Sequence, residues 1–218
     1  VVRRQPAPAA QASLPPAKPA IEKAEDATRL AVFGDSLAVD LSKALERHYA
    51  AAVQITDRLN ALSALHRSSH PRRRELVAAA GDELRPHLGG YIGWLGILGR
   101  SPHADVLEVL DREAAHPAFD RRHPGLARAL YVPFSLNNAR LWTRAGLDWL
   151  VGAAAALAPL SETTTLRLIA PLQQVGELAD DLRPLVAEAL RRLEGAVAEE
   201  AAPSVRGRLA DYLTQVRE

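Results

Sequence analysis

Ser36 is the side chain of this sequence with the clearest context for covalent chemistry. It closes Val32-Phe33-Gly34-Asp35-Ser36 and is followed by Leu37, so a serine stands directly after a short apolar run and a glycine turn. There a hydroxyl can be presented at the end of a strand, where a histidine base would activate it for acyl transfer. The competing role is a cap, since Asp35 or Ser36 can open the helix that follows. His66 and His70 are four residues apart, a spacing that chelates a metal on a helix. Ser68-Ser69 and Pro71 instead predict a helix ending there in solvent. Arg72-Arg73-Arg74 and Arg191-Arg192 have the charge to meet phosphate. Neither cluster is interleaved with aromatics for base stacking, and both read as solvated helix faces. Gly89 to Gly99, GGYIGWLGILG, lacks the Lys-Ser/Thr of a phosphate loop and predicts close helix packing around Tyr91 and Trp94.

The elements that must carry these groups are mostly helical. Residues 1–28 form a Pro/Ala-rich segment, and its first 20 residues hold five prolines and no acidic side chain. Such a tract buries too little apolar surface to offset its ordering, which predicts a disordered tail or linker. Residues 29–40 contain the one short strand, Arg29 to Gly34, and its turn. From 41 to 218 the apolar period is that of a helix. Leu41, Leu45 and Ala52 lead into Ile55, Leu59, Leu62 and Leu65. Ser101-Pro102 predicts a helix start, followed by Val106, Leu107 and Leu110. Another helix is expected over 122–134. Asn138 then opens a longer one that carries Trp142 and Trp149 two turns apart. Ser161 caps a helix with Leu166, Ile169 and Leu172. A stripe runs from Leu178 to Val197, with Pro184 near its start, and Pro203-Ser204 begins the last helix. Short loops between striped helices predict a mainly α fold, an antiparallel helical array or α-solenoid, with at most one short strand.

Composition narrows the function classes. A net charge of +1 supports no bulk attraction to nucleic acid or to a membrane surface. The absence of Cys excludes disulfides, thiolate chemistry and Cys-based zinc sites. No apolar run approaches the ~20 residues of a membrane span, and no signal-peptide core is recognisable. A cytoplasmic location is the expectation. The missing Met, at position 1 as elsewhere, suggests a processed chain or a fragment.

Two family resemblances rest on these residues. Phe33-Gly34-Asp35-Ser36-Leu37 resembles the nucleophile block of the GDSL, or SGNH, hydrolases, over roughly residues 28–45. That family places an Asp-x-x-His near the carboxyl end. Here the last histidine is His123, and no such pair follows it. From about residue 41 onward the chain resembles the carboxyl-terminal helical domain of bacterial aminopeptidase N, a zinc aminopeptidase of the M1 class. The landmarks are 44–65 (ALERHYAAAVQITDRLNALSAL), 116–130 (HPAFDRRHPGLARAL), 134–150 (FSLNNARLWTRAGLDWL), 165–172 (TLRLIAPL) and 182–194 (LRPLVAEALRRLE). The family's Thr-Asp-Arg falls on Thr56, Asp57 and Arg58, and its His-Pro-Ala-Phe on His116, Pro117, Ala118 and Phe119. Of its Asn-Pro-Asn-Arg-x-Arg, only Pro124 and Arg128 are kept. The family's Phe-His and Asp-Gly-x-Gly-Tyr after Asn138 are replaced by Leu141-Trp142 and a different run.

The second resemblance implies a noncatalytic domain that closes the peptide channel of a catalytic domain present in cis or trans. It implies substrate-channel or interdomain contacts at Thr56, Asp57, Arg58, Arg128 and Asn138. His116, Pro117, Phe119, Trp142 and Trp149 become packing landmarks. For Asp57 and Arg128 the alternatives are an internal ion pair or two separate surface charges. Zinc would belong to the upstream domain, because the His-Glu-x-x-His that binds it is absent from this sequence. Two other functions compete: a helical protein-interaction or scaffold module, and a GDSL-type serine esterase using Ser36. The isolated chain is expected to hold no cofactor, to contact peptide only within the assembly, and to turn over neither esters nor aminoacyl amides.

Overall fold

A computed structural model of the chain describes residues 55–217. The segments at 1–28 and 29–40, with Ser36, lie outside those residues, as does the start of the helical region at 41–54. Within them the chain folds as ten α-helices and one 3₁₀ stretch. They are α1 (Ile55–Arg67), α2 (Arg73–Leu84), α3 (Leu88–Leu98), α4 (Val106–Ala114) and α5 (Pro124–Ser135). After them come α6 (Asn138–Leu141), α7 (Arg144–Leu157), α8 (Glu162–Ile169), a 3₁₀ turn (Ala170–Glu177), α9 (Arg183–Ala196) and α10 (Pro203–Arg217). No strand occurs among the described residues, and no helix there is long and apolar enough to cross a membrane.

Packing follows a simple rule. Each helix lies against its sequence neighbour, and one row packs helix to helix as α1, α3, α5, α8 and α10. The helices between them, α2, α4, α7 and α9, form a second layer. This two-layer stacking of helical hairpins is a solenoid. The core runs between the layers: Leu62 and Leu65 of α1, Trp94, Leu95 and Leu98 of α3, Leu130 and Phe134 of α5, Leu150 and Leu157 of α7, Leu190 and Leu193 of α9, and Leu209 of α10 are all buried. α3 is apolar on nearly every side because α1, α2 and α5 all press on it. Its last turn meets α5 closely enough that a methyl at Gly99 would lie 2.7 Å from the backbone nitrogen of Phe134.

Three local expectations are corrected. Ser101-Pro102 does not start a helix; α4 opens at Val106. Ser101 is buried in the preceding loop, where Asn137 Nδ2 donates to the carbonyls of Gly99 (2.9 Å) and Ser101 (2.8 Å). The helix expected from Asn138 through Trp149 is broken at Trp142, and Thr143 caps α7 by accepting from the backbone N–H of Gly146 at 3.0 Å. The stripe from Leu178 becomes helical only at Arg183, after the 3₁₀ turn. Ser161 caps α8, accepting from the backbone N–H of Thr164 at 3.3 Å.

Candidate functional site

The row of five helices shares one edge. A methyl at Gly90, in the first turn of α3, would touch Ile55 at the start of α1, and one at Gly125, in the first turn of α5, would touch Ile92 of α3. Pro124, Gly125 and Arg128 of α5 face Ser161, Thr163, Thr164 and Arg167 of α8 across a cleft of 370 Å³. Glu162 of α8 accepts from the backbone N–H groups of Ser204 (2.6 Å) and Val205 (3.4 Å) in the first turn of α10. The helices of this row therefore start side by side and run in the same direction. Their first turns direct positive dipole ends toward that edge, where His123, Ser161 and Glu162 accept from first-turn N–H groups of α5, α8 and α10.

The α5–α8 cleft is where charge is left over. Arg128 and Arg167 are exposed, line the cleft from both sides, and have no ion-pair or hydrogen-bond partner among the described residues. Glu162 is occupied with α10. Two guanidiniums beside the Thr163 hydroxyl suit a carboxylate or another planar anion, which arginine can meet with two parallel N–H donors.

Thr56 and Asp57 are exposed in the first turn of α1, at the same edge but separated from Arg128 by α3. Asp57 and Arg128 do not pair. Arg58 turns away to the second layer and forms an ion pair with Glu83 of α2. Asn138 is exposed beyond the end of α5, at the opposite edge, while its neighbour Asn137 is the buried residue that holds the α3–α4 loop. His116 and Pro117 lie in the turn after α4. His116 Nδ1 accepts from the backbone N–H of Ala118 at 3.1 Å, and its carbonyl accepts from that of Phe119 at 2.9 Å. This turn drops Phe119 onto Tyr131, with ring centres 6.0 Å apart. Trp149 packs edge-on against Phe134 at 4.7 Å and donates its indole N–H to Asp111 at 2.7 Å. Trp142 is half-buried against the core.

A second polar constellation went unread in the sequence. Glu113 falls on the Val106–Leu110 stripe of α4 and is buried with it. It accepts from Arg85 at 3.0 and 2.7 Å and from the Tyr91 hydroxyl at 2.6 Å. The Arg85 guanidinium also lies 4.9 Å above the Trp94 ring. Hydrogen bonding to Glu113 raises the basicity of Arg85, and burial together with Glu113 pushes the Tyr91 hydroxyl well above the usual phenol range. Nearer the starts of α2 and α4, Arg73 Nη2 donates to both oxygens of Asp105 at 2.8 and 3.0 Å, and Arg74 completes the group. Burial favours the neutral form of Asp105, but bonding to Arg73 and the charges of Arg73 and Arg74 outweigh it and hold the carboxyl below its ordinary value. The expectation of a solvated face for Arg72-Arg73-Arg74 thus fails at Arg73. It fails at His66 and His70 as well, because both are buried. Among the described residues no three His, Asp or Glu side chains gather as metal ligands.

His66 gives this interior a pH dependence. Burial lowers its basicity; the Leu98 carbonyl works against that, and the Arg73 charge adds to it. A depressed folded-state value means the neutral ring stabilises the fold fully above the unfolded value of about 6.5. That contribution is lost as pH falls from there through the lower folded value. The urea midpoint is therefore expected to drop between pH 7 and pH 5, and to drop less in His66→Gln. An equal drop in both proteins would exclude His66 as the cause.

Comparison with known proteins agrees with this architecture. A family model described as a domain of unknown function, DUF3458_C, with ARM repeats, matches residues 24–206. Aminopeptidase N of Haemophilus influenzae is 26% identical over 153 residues, which are 68% of this chain and 18% of that protein. The crystal structure of Legionella pneumophila aminopeptidase A in complex with aspartic acid superposes with a TM-score of 0.71 at 17% identity, over 80% of this chain and 21% of that one. The chain spans about a fifth of the length of each.

Proposed function

The chain belongs to the DUF3458_C family of ARM-repeat domains, and from that premise we propose that it is the noncatalytic helical domain of an M1-type zinc aminopeptidase. In this reading it packs on a catalytic domain, in cis or in trans, and walls the channel by which peptide reaches the zinc. The observation that carries the reading is the shared edge of the first row, with Arg128 and Arg167 unpartnered around one cleft. A wall facing a peptide channel needs such surplus donors, because the far end of a peptide substrate is a carboxylate. The sequence supplies no His-Glu-x-x-His, so zinc and the general base come from the catalytic domain.

The test is purification of the protein from its native source. It should come with zinc-dependent aminopeptidase activity in the same polypeptide or a stoichiometric partner. A 23.5 kDa protein without that activity or partner would rule the reading out. Within the active assembly, Arg128→Glu combined with Arg167→Glu is expected to raise KM for a tripeptide by about tenfold or more, since hydrogen bonds to charged groups are worth ~1.5–3 kcal/mol. kcat should change little, and the corresponding tripeptide amide should be nearly unaffected. Equal losses on acid and amide would remove the carboxylate from the account.

A further inference from the structure

We propose that the slot between α2 and α4 binds a small branched aliphatic carboxylate. Its hydrocarbon body would sit between Val77 and Val109 over the Trp94 ring, and its charge would be met at the rim by Arg74 and Arg112. The slot is a gap in the second layer, where the two helices make little direct contact. Ion pairs clamp it at both ends, Arg73 with Asp105 near the helix starts and Arg85 with Glu113 near the helix ends. Between the clamps the lining is Val77, Ala78 and Val109, which leave 110 Å³ unfilled. Trp94 closes the bottom. Its indole N–H donates to the Val77 carbonyl at 3.0 Å, and a methyl at Gly81 would lie 2.5 Å from its ring, so the indole is held in place.

Size and charge select the ligand. A cavity of about 150 Å³ takes benzene, so this smaller slot suits a branched body of about three or four carbons. The charged lining carries four arginines and three carboxylates. Each carboxylate is engaged: Asp105 by Arg73 and Arg74, Glu108 by Arg112, and Glu113 by Arg85 and Tyr91. A cation therefore finds no free acceptor. The arginines at the rim are not used up. Arg74 meets Asp105 through Nε and Arg112 meets Glu108 through Nη2, and their side chains are 65% and 67% exposed. Each guanidinium keeps further N–H donors, and a carboxylate is the planar acceptor that such a fork fits. An ion pair at an exposed rim is worth little by itself, and so is the burial of a few carbons. Binding needs both in one molecule. A free branched-chain acid has this chemistry, and so does the terminal leucine or valine of a peptide.

The experiment uses the 218-residue chain labelled with ¹⁵N in tryptophan, titrated at pH 7.5 with isovalerate, isovaleramide, isoamylamine and acetate. Replacing Trp142 and Trp149 by Phe in turn assigns the Trp94 indole resonance. Isovalerate should shift that resonance saturably with a Kd in the millimolar range, as expected for so few atoms. Isovaleramide has the body without the charge and acetate the charge without the body. Each should bind about fivefold more weakly, the upper range for an exposed ion pair. Arg74→Gln combined with Arg112→Gln should bring isovalerate down to the level of its amide. Ala78→Leu, which fills the slot from an exposed position, should remove binding. N-acetylleucine separates the sources: binding at least as tight as isovalerate assigns the site to a peptide terminus, and weaker binding assigns it to a free acid. Equal binding of isovalerate and its amide would make the slot an apolar hole, and equal binding of acetate would make it a surface charge effect. Tighter binding of isoamylamine would make it a cation site, and no saturable shift below about 50 mM would leave no site. Each of these four results overturns the inference. None of the readouts depends on peptidase activity, so the inference stands or falls apart from the proposed function.

Discussion

Glu113→Ala is expected to lower the unfolding free energy by about 3–5 kcal/mol, the range for removing one partner of a buried ion pair. The side chain of Glu113 is 5% exposed, and that of Arg85 is 14% exposed. Without the carboxylate, Arg85 and the Tyr91 hydroxyl lose the acceptor between them, while a cavity opens beneath α4. Asp82, at 2.6 Å from Arg85, is 79% exposed and cannot replace a buried charge. Glu113→Gln keeps the shape and one acceptor oxygen, so its cost should fall to ~1–3 kcal/mol. Replacing all three partners, as Arg85→Met with Tyr91→Phe and Glu113→Leu, should recover most of the loss, since apolar groups of similar volume leave no ion to desolvate and no buried hydroxyl unpaired. Urea melts of the four proteins decide the matter. A loss under ~1 kcal/mol for Glu113→Ala would show that solvent reaches Arg85 freely.

Gly146→Ala should cost about 3 kcal/mol or more, at or beyond the upper end for overpacking, because the obstacle is backbone. A methyl there would lie 2.0 Å from the Arg140 carbonyl oxygen and 2.8 Å from that of Leu141. Relief requires rebuilding the Trp142–Thr143 break, and with it the Thr143 cap on α7. Gly152, two turns along the same helix, has nothing within 4 Å of a methyl. Gly152→Ala should therefore stabilise the domain by roughly 0.5–1 kcal/mol, the helix propensity difference. The two substitutions are chemically identical and opposite in expected sign, so their denaturation midpoints should move in opposite directions. A neutral Gly146→Ala would mean that α6 and α7 can merge into one helix.

Those two glycines also show what can be read from sequence and what cannot. Both lower helix propensity equally on paper, and only the approach of the Arg140 carbonyl separates them. The stripes that bury Leu62, Leu130, Leu150 and Leu190 are periodic and local, so the helices and their inward faces follow from spacing. Ser161 and Pro203 mark helix starts for equally local reasons. Breaks fixed by distant partners do not. Ser101 is pinned by Asn137, 36 residues later, and so the proline signal beside it misleads. Arg73 reads as one of three solvated arginines because Asp105, 32 residues on, is invisible to local pattern. Glu113 did leave a trace, a charge on an apolar stripe. Arg128 was singled out by resemblance, but its neighbour Arg167 was not, because adjacency across α5 and α8 is a property of the row.

The order of that row also governs how the molecule comes together. Every described helix is held by its sequence neighbours or by a helix two or three places along, so none of them waits for a distant part of the chain. Loops closed during assembly are short, and their entropic cost is small. Folding in such a stack is recruitment. A seed at α3 and α5 can template α2 and α4 on one side and α7 and α8 on the other, while α9 and α10 add last. Stability in such a stack is shared between nearest neighbours, so a substitution weakens first the helices beside it.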